Sequence, residues 1–507
     1  MTCRVYFDVT GFVQWYAYMR NPSGIQRVME SLLATPDLAN NANVEFIARA
    51  LGSDGFYRVD HRYIAGLADP GSRRASIASL RQLFADSMRV SSTRHLWREM
   101  ISDHVAYVAI GRGGASRLWE ALHLGYWPPK PQPLCGATPP RQGDVVVVLG
   151  DFWCYKRQVE ALVRLKAATG VRIMAMIHDL FPIHNESWAH PYYGREFVSQ
   201  FHTLAEHADH WLTNSHYVKG QLARFLAGLG QGPREIDVLP MGWPETRPRW
   251  SMAADDDRIL GKYALERDGY FMCVGTVEPR KNLGSVMEAT VQLHADGNGR
   301  QPVCLFVGRA GWRSQELIDR LRTIERSTGS VRWINDADEA DLAALYRGAR
   351  FTIVPSFNEG WGLVVQESIA HGVPCIAAAV GGMLEAGRDL ATYIDSADQS
   401  KLLEMISDYA SDETILGRAR QRIEERLKAG PLLPRWSHAA AFLAELTGLR
   451  GRNGHRSADI QPPHAGEITL PTSQDSPSTR LARGIADGRQ PAVRRESDER
   501  SAGWDGS

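Results

Sequence analysis

The sequence predicts an α/β protein built from two Rossmann-like domains, and three observations lead to this prediction. The chain has 507 residues, which is more than one hydrophobic core usually organises. From about residue 141, short apolar runs alternate with amphipathic stretches, as in a parallel sheet covered by helices. The same alternation starts again near Tyr270. We therefore expect two such units with a cleft between them.

The first unit should contain short, continuous apolar strands, as expected of strands that are buried on both faces. They are Val5–Val9, Val145–Leu149, Ile173–Ile177, Trp211–Thr213 and Asp237–Leu239. The region from about 52 to 140 is less regular and is interrupted by pairs of prolines, so we interpret it as an insertion. The N-terminal domain should occupy residues 1–245.

The second unit should contain a further series of strands that alternate with helices. The strands are Tyr270–Val274, Val303–Val307, Val331–Ile334, Phe351–Val354 and Cys375–Ala378. The helices should begin near Asn282, Ser314, Asp338 and Leu363. Pro240–Pro244 and the polar segment Met252–Arg258 are predicted to connect the domains. This second domain should occupy 246–430, followed by a closing helix at 431–448 and a disordered tail at 449–507, where apolar periodicity is lost.

Composition and residue spacing argue against several functional classes. The 58 basic residues balance 58 acidic residues, so no global field would recruit nucleic acid. The six cysteines are scattered, and the histidines form no close pair on one helix face with a third ligand nearby, so no metal site is predicted. No stretch approaches the roughly 20 apolar residues that span a bilayer. We expect a cytoplasmic protein with peripheral contact at the inner face of the membrane.

The segment Glu359-Gly-Trp-Gly-Leu-Val-Val-Gln-Glu367 carries the strongest functional signal. It follows a predicted strand and opens a helix, so it lies at the carboxyl end of a sheet, where N–H groups of the helix start can bind phosphate. Gly360 and Gly362 let the backbone approach a ligand closely. The two carboxylates can accept hydrogen bonds from different parts of one polyol-bearing ligand, such as a nucleotide sugar. The alternative is that this strand–Gly–helix unit is only a turn.

Glu359 to Glu367, followed by Ala370-His-Gly-Val-Pro374, resembles the paired-glutamate motif of the retaining glycosyltransferases of family 4 (glycosyl transferases group 1 domain). Those enzymes have the GT-B fold, in which two Rossmann-like domains face each other across the active site. Further matches occur in the family's order at Gly24-Ile-Gln-Arg-Val28, Ile177-His-Asp-Leu-Phe-Pro182, Phe271–Leu283, Val307–Trp312 and Asp341–Ala349. The resemblance covers most of 1–448 except the 52–140 region, and it places the acceptor on the N-terminal domain.

The resemblance implies three catalytic residues. Glu359 would approach hydroxyls of the donor sugar, and Lys281 would neutralise the leaving diphosphate. His178, at the end of a strand, would form a hydrogen bond to the donor sugar or the acceptor, although an isolated histidine is usually structural. Asn214-Ser215 is interpreted as the cap of the helix that follows.

The resemblance also implies a set of donor-binding residues. Glu367 would hold the nucleotide ribose, while the amides of Gly362, Leu363 and Val364 would face sugar and phosphate. Gly24, in a loop after the first strand, would let phosphates or acceptor approach. The other members of the set are Gly360 and Arg280.

The phosphate cations depart from the family's pattern at one position. Many relatives have an arginine after the strand glycine, but here Thr276 follows Gly275. Arg280 or Arg309 could supply the second phosphate cation instead. A solvated loop charge is an equally good interpretation of Arg280.

The implied reaction transfers a sugar from a nucleotide diphosphate to an acceptor hydroxyl with retention, in polysaccharide or glycolipid synthesis, and needs neither metal nor cofactor. No residue suggests itself as a covalent nucleophile, so a front-side mechanism is preferred. The donor would be a GDP- or UDP-sugar, with the wording Gly-Thr-x-Glu-Pro-Arg-Lys-Asn favouring GDP-mannose, and the acceptor a saccharide or lipid-linked saccharide.

Two alternatives come from other functional classes. Thr276 raises the possibility of a catalytically inactive nucleotide-sugar-binding assembly protein. A nicotinamide-dependent oxidoreductase would need a glycine-rich fingerprint, and the loop Gly111-Arg-Gly-Gly-Ala-Ser lacks the third spaced glycine.

Overall fold

Two β-sheets organise the computed structural model of this chain. The structure describes residues 3–19, 21–50, 55–89, 138–153, 157–189, 191–232, 234–296 and 301–450, with backbone alone at 88–89 and 191–193. The glycine loop Gly111-Arg-Gly-Gly-Ala-Ser, most of the 52–140 region and the predicted tail from residue 451 onward lie outside the described residues. All described residues belong to one compact unit.

The first sheet has seven strands in the order β3-β2-β1-β4-β5-β6-β7. They are β1 (Val5–Asp8), β2 (Val44–Arg49), β3 (Phe56–Val59), β4 (Val145–Val148), β5 (Arg172–Ile177), β6 (His210–Thr213) and β7 (Ile236–Val238). Neighbouring strands are parallel except for the edge pair β2 and β3. The strand order reverses between β1 and β4, and this is the place where a parallel sheet opens a ligand crevice at its carboxyl end.

The second sheet has six parallel strands in the order β10-β9-β8-β11-β12-β13. They are β8 (Tyr270–Val274), β9 (Val303–Val307), β10 (Val331–Ile334), β11 (Thr352–Val354), β12 (Cys375–Ala378) and β13 (Thr392–Ile394). The order reverses between β8 and β11. The loops that follow these two strands therefore meet at one edge of the sheet, which brings together residues that are far apart in sequence.

The helices cover both sheets. In the N-terminal part they are α1 (Thr10–Tyr18), α2 (Gly24–Leu33), α3 (Pro36–Ala39), α4 (His61–Ala65), α5 (Arg73–Arg89), α6 (Gln158–Thr169), α7 (Phe181–His184), α8 (Pro191–His207) and α9 (His216–Gly228). The remaining ones are α10 (Ala254–Lys262), α11 (Leu283–Asp296), α12 (Gln315–Thr328), α13 (Glu339–Gly348), α14 (Leu363–Ala370), α15 (Met383–Gly387), α16 (Gln399–Ser411), α17 (Glu413–Lys428) and α18 (Trp436–Thr447).

We call the seven-stranded sheet with its helices the first lobe, and the six-stranded sheet with its helices the second lobe. The last helix of the described residues, α18, returns to the first lobe and packs against α2 and α3. Its residues Ala439, Ala440 and Leu443 are buried in the same core as the β1 side chains. The chain thus crosses between the lobes twice. The two crossings touch, since the Trp243 N–H donates to the carbonyl oxygen of Pro434 at 2.6 Å.

All ten predicted strands are present, with ends shifted by at most one residue. The prediction missed β2, β3 and β13. The sequence of β2 contains the charged residues Glu45 and Arg49, so it is not a continuous apolar run. In the structure, Arg4 lies 3.3 Å from Glu45 and Gln158 lies 3.0 Å from Arg49. Paired in this way, the charges can be buried.

Two segment predictions are corrected. The polar run Met252–Arg258, expected as part of a connection, lies largely in α10, where acidic residues fill the first turn and favour a helix start. The region from 52 to 140, expected to be irregular, contains β3, α4 and the 17-residue helix α5 in its described part. The domain boundaries 245/246 and 430/431 stay predictions. In the described part of the chain, no helix is long and apolar enough to cross a bilayer.

Candidate active site

The predicted site residues lie on loops that follow neighbouring strands. Lys281 follows β8, and Glu359 follows β11, which pairs with β8 in the sheet. On the first lobe, His178 directly follows β5. Two cross-lobe contacts bring these edges together. The carbonyl oxygen of Gly360 accepts a hydrogen bond from the Ser215 hydroxyl at 2.7 Å, and Gly360 also packs on the His178 backbone. These residues therefore lie together where the two lobes meet, as their positions after strands predicted.

Glu359 is the centre of a buried ionic network. Its side chain is 13% exposed, and Arg280 Nη1 lies 3.1 Å from Oε2. Lys281 Nζ donates to Oε1, and the Ser356 hydroxyl donates to the same oxygen at 2.8 Å. Arg280 also pairs with Glu278 at 2.8 Å. Two cations and two carboxylates thus balance one another at the end of the second sheet.

The charges decide the protonation state of Glu359. Burial alone would raise the pKa of this carboxyl, but Arg280 and Lys281 outweigh burial and lower the pKa to about 2. Glu359 is therefore ionised at neutral pH. Arg280 is buried and lies over the Phe181 ring at 4.8 Å, so its interpretation as a solvated loop charge is wrong.

Glycines hold the Glu359 loop in place. A Cβ on Gly360 would lie 1.8 Å from the His178 carbonyl oxygen, so the close approach at this glycine is to the first lobe. Gly381 and Gly382 pack directly under the loop, where a Cβ would lie 2.1 and 2.2 Å from the carbonyl oxygens of Glu359 and Gly360. Gly362 has φ of +108°, which side chains rarely adopt, and contacts Met383.

His178 is buried, with 7% of its surface exposed. Its Nε2 lies 2.7 Å from the carbonyl oxygen of Leu149. Burial lowers the pKa of the imidazole, although the hydrogen bond to Leu149 opposes this effect, so His178 is neutral at pH 7. A neutral ring that donates from Nε2 to a carbonyl must leave Nδ1 as an acceptor.

Two carboxylates of the first lobe were not among the predicted site residues. Asp151 follows β4 and accepts a hydrogen bond from the Gln26 amide at 2.5 Å; burial raises its pKa to about 6, although Gln26 and Arg309 oppose the rise. Asp179 follows His178, and burial raises its pKa to about 6, with Arg280 opposing and Glu359 adding. Their position directly after strands was the available signal, since functional residues of parallel sheets gather there.

Glu367 lies on the half-buried face of α14, together with Leu363 and Val364. Its Oε1 accepts a hydrogen bond from Arg27 Nη1 at 2.9 Å, and its Oε2 accepts one from the Tyr346 hydroxyl at 2.8 Å. Arg27 belongs to the first lobe, so this carboxylate is paired across the cleft.

The first lobe also meets α14 through Gly24. We predicted this glycine in a loop, but it is the first residue of α2, since Ser23 is extended and stands before the helix. A Cβ at Gly24 would lie 3.5 Å from Leu363 Cδ1, so the start of α2 touches the start of α14. The roles assigned to these residues from the sequence stay predictions.

The position after Gly275 is filled by Thr276, and the sequence offers Arg280 and Arg309 as the expected second phosphate cation. Arg280 lies beside Glu359, while the guanidinium of Arg309 lies 4.3 Å from the centre of the Trp15 ring on the first lobe. Of the two candidates, Arg280 is the one next to Lys281. Among the residues that the structure describes, no group of three or more His, Cys, Asp or Glu side chains could hold a metal ion.

Comparison with known proteins matches the second lobe to a family. Residues 255–429 match the family model described as Glycosyl transferases group 1. We call this matched segment the group 1 domain. The group 1 domain contains β8 to β13 and with them Lys281, Glu359 and Glu367.

Similar curated proteins cover part of the chain. O-antigen chain mannosyltransferase B of Escherichia coli is 32% identical over 158 residues, which are 31% of this chain and 40% of that protein. D-inositol 3-phosphate glycosyltransferase of Thermomonospora curvata is 35% identical over 212 residues, which are 40% of this chain and 47% of that protein. The chain therefore spans less than half the length of these two relatives.

A solved structure shows the fold of the two lobes together. Anabaena Alr3699/HepE in complex with UDP-glucose superimposes with a TM-score of 0.53 at 12% sequence identity, covering 88% of this chain and 100% of that chain. At this identity the likeness concerns the fold alone. The chain has the GT-B fold, as predicted.

Proposed function

We propose that this protein is a retaining glycosyltransferase of family 4 that moves a hexose from a nucleoside diphosphate to an acceptor hydroxyl. The observation that carries the proposal is the Glu359 network. An ionised carboxylate, a lysine and an arginine converge where the loops after β8 and β11 meet, inside a group 1 domain and opposite His178. Loss of a diphosphate needs positive charge at the leaving group, and hydroxyl recognition needs a fixed acceptor. Both are present within one loop pair.

The leaving diphosphate would lie near Lys281 and Arg280. Charge develops on the departing phosphate oxygens as the glycosidic bond breaks, so cations fixed beforehand lower the barrier. The start of α14 adds N–H groups, because the first turn of a helix has donors without intrahelical partners. We assign the amides of Gly362, Leu363 and Val364 to this task.

Glu359 and His178 would bind sugar hydroxyls. Glu359 is ionised, so it accepts hydrogen bonds. The Nδ1 atom of neutral His178 is an acceptor too, which suits a hydroxyl of the donor sugar or of the acceptor. We retain the front-side mechanism. Glu359 is assigned to hydroxyl binding and not to nucleophilic attack, because two cations already neutralise its charge. Detection of a glycosyl-enzyme adduct by intact-protein mass spectrometry during turnover would contradict the front-side mechanism.

The remaining details of the proposal follow the relatives. The mannosyltransferase among them supports GDP-mannose as first choice of donor, while the UDP-glucose complex of the Anabaena protein makes UDP-sugars the second. The acceptor would be a saccharide or lipid-linked saccharide of polysaccharide or glycolipid synthesis. A cytoplasmic location with contact at the inner membrane face belongs to this proposal.

Nucleotide release tests the proposed function. The full chain is incubated with GDP-mannose, UDP-glucose and UDP-galactose, with and without a lipid-linked saccharide pool, and release of nucleotide and thermal stabilisation are measured. We expect acceptor-dependent release of GDP or UDP, and no release by Lys281→Met. Binding without release from any donor would instead support the catalytically inactive assembly protein. Stabilisation by NAD alone would contradict both.

A further inference from the structure

Arg27 of the first lobe reaches across the cleft to two carboxylates of the second. Its Nη1 donates to Glu367 Oε1 at 2.9 Å, and its Nη2 donates to Glu339 Oε1 at 2.8 Å. The contact is reinforced nearby, since the Asn21 amide donates to the Ala337 carbonyl oxygen at 3.1 Å. The residues around the start of α2 therefore dock onto the second lobe beside Glu367.

The two carboxylates that Arg27 bridges differ in burial. The Glu367 side chain is 14% exposed, while that of Glu339 is 48% exposed. Burial alone would lower the pKa of Arg27, but Glu367 and Glu339 outweigh burial and raise it, so the guanidinium carries its charge. A half-exposed pair such as Arg27–Glu339 contributes little, because water screens it. The ion pair between Arg27 and Glu367 is therefore expected to contribute more to stability than the pair between Arg27 and Glu339.

The geometry leaves Glu367 able to bind a further group. A carboxylate has about four lone-pair sites, and here Arg27 takes one and the Tyr346 hydroxyl takes another. Tyr346 is itself fixed by stacking on His371 at a centroid distance of 4.8 Å. With one donor from each lobe, the carboxylate is held in a single orientation while its remaining lone pairs can accept from a ligand.

We propose that Arg27 is a positioning residue that holds Glu367 ready for the hydroxyls of the nucleotide ribose. This inference rests on the proposed function, which assigns Glu367 to the ribose. It adds that donor affinity depends on a residue of the lobe opposite the group 1 domain. Pre-ordering the carboxylate removes the cost of immobilising a flexible side chain when the nucleotide binds.

The experiment compares ribose recognition in variants of the full chain. Dissociation constants are measured by calorimetry for GDP, UDP and their 2′,3′-dideoxy forms, with the wild type, Arg27→Met, Arg27→Lys and Glu367→Gln. Arg27→Met keeps most of the side-chain volume but neither the charge nor the donors. Glu339→Gln is the matched control, because it weakens the other arm of Arg27 and leaves Glu367 untouched. Thermal unfolding confirms that each variant is folded.

We expect Arg27→Met to weaken binding of the preferred nucleoside diphosphate about tenfold and Arg27→Lys to weaken it about threefold. Glu339→Gln should change it less than twofold. Removing the ribose hydroxyls should cost the wild type about tenfold, yet cost Arg27→Met and Glu367→Gln less than threefold. For Arg27→Met, the kcat value at saturating donor should change by no more than about threefold. This result would distinguish a positioning residue from a catalytic one.

Four results would overturn the inference, and the last of them would also overturn the proposed function. If the wild type binds GDP or UDP but Arg27→Met keeps the full penalty for the missing ribose hydroxyls, Arg27 does not position Glu367. If Glu339→Gln weakens binding as much as Arg27→Met, the contact is merely structural. If Arg27→Met does not fold, Arg27→Lys supplies the same comparison, and an unchanged ribose penalty in that variant would overturn the inference. If the wild type binds neither nucleotide, the proposed function fails together with it.

Discussion

Glu359 and Glu367 lie eight positions apart in one loop and helix, yet their surroundings are built in different ways. Glu359 is neutralised within its own lobe by Arg280 and Lys281. Glu367 receives a hydroxyl from its own lobe, but its cation is Arg27 of the other lobe. The cations of the first carboxylate therefore come from its own lobe, whereas the second carboxylate receives its cation only when the lobes touch. Under the proposed function, this arrangement would separate the chemical step from control of donor affinity.

The largest expected effect tests this division directly. Glu359→Gln should lower kcat about 1000-fold while changing the nucleoside diphosphate dissociation constant less than threefold, because it removes a group aimed at the reacting sugar. Glu367→Gln should weaken nucleotide binding about tenfold with a smaller loss of kcat. Steady-state kinetics and calorimetry measure the two quantities. Equal losses of nucleotide affinity in both variants would contradict the assignment.

The next effect concerns the dependence of the Glu359 loop on the opposite lobe. In Gly360→Ala the new Cβ would overlap the His178 carbonyl oxygen, so the loop or the lobe must move by about 1 Å or more. A shift of that size can cost about 100-fold in kcat/KM. Gly417→Ala is the matched control, because Gly417 lies in α17 with open space around it and should be neutral or stabilising. Unchanged kinetics in Gly360→Ala would show that the lobes adjust freely here.

A third expectation extends the comparison to Asp151, a buried carboxylate without a direct cation. Its raised pKa means that the folded state is destabilised as pH rises through about 6, since the buried group must then ionise. Asp151→Asn should therefore raise the free energy of unfolding by about 2–3 kcal/mol at pH 8 and by almost nothing at pH 4. Urea unfolding at both pH values measures this difference.

Glu359 should behave in the opposite way in the same measurement. Because its pKa is lowered, its ionised form contributes stability at pH 8, and this contribution is lost as pH falls below about 4.5 toward about 2. Glu359→Gln should thus be less stable than the wild type at pH 8. A stabilising effect of this variant at pH 8 would mean that the two cations do not compensate the buried charge.

The smallest expected effect concerns Glu385, a further carboxylate that acts across the lobes. It accepts hydrogen bonds from the backbone N–H groups of His216 and Tyr217, both at 2.9 Å, at the start of α9. Glu385→Ala should lower the free energy of unfolding by about 1 kcal/mol. Ser215→Ala removes both the cap that accepts from Val218 in the same helix and the cross-lobe hydrogen bond to the Gly360 carbonyl oxygen, so it should cost more than Glu385→Ala. A loss far larger than 1 kcal/mol for Glu385→Ala would mean that lobe contact dominates stability.

The sequence predicted the strands well because parallel strands buried on both faces are continuous apolar runs. It also predicted the cap at Ser215, which accepts from Val218 at 3.1 Å. The strands that escaped prediction carry charges, as β2 does, or are short edge strands such as β13. Their burial depends on partners more than 30 positions away, as with Arg49 and Gln158, and no local pattern contains that information.

The candidate site was likewise predicted where local patterns sufficed and missed where long-range contacts decide. Strand-end position and motif resemblance predicted Glu359, Lys281 and His178 as neighbours in a cleft. They did not predict that Arg280 would be buried, because an arginine in a loop looks solvated until its partners are known. Arg27 lay inside the quoted segment Gly24-Ile-Gln-Arg-Val28, but its contact with Glu367 spans 340 positions and exists only between folded lobes.

The double crossing between the lobes limits how they can move. Trp243 and Arg435 form a parallel bridge, and Trp436 fills the space beside Gly242, where a Cβ would overlap its ring. We expect two chain segments that are held side by side to restrict the relative motion of the lobes to bending about the line through these segments. Bending about such an axis moves the distant rim of the cleft most and the residues near the pin least. Donor entry and product exit are therefore expected at the far rim, while the geometry beside Gly242 stays nearly constant.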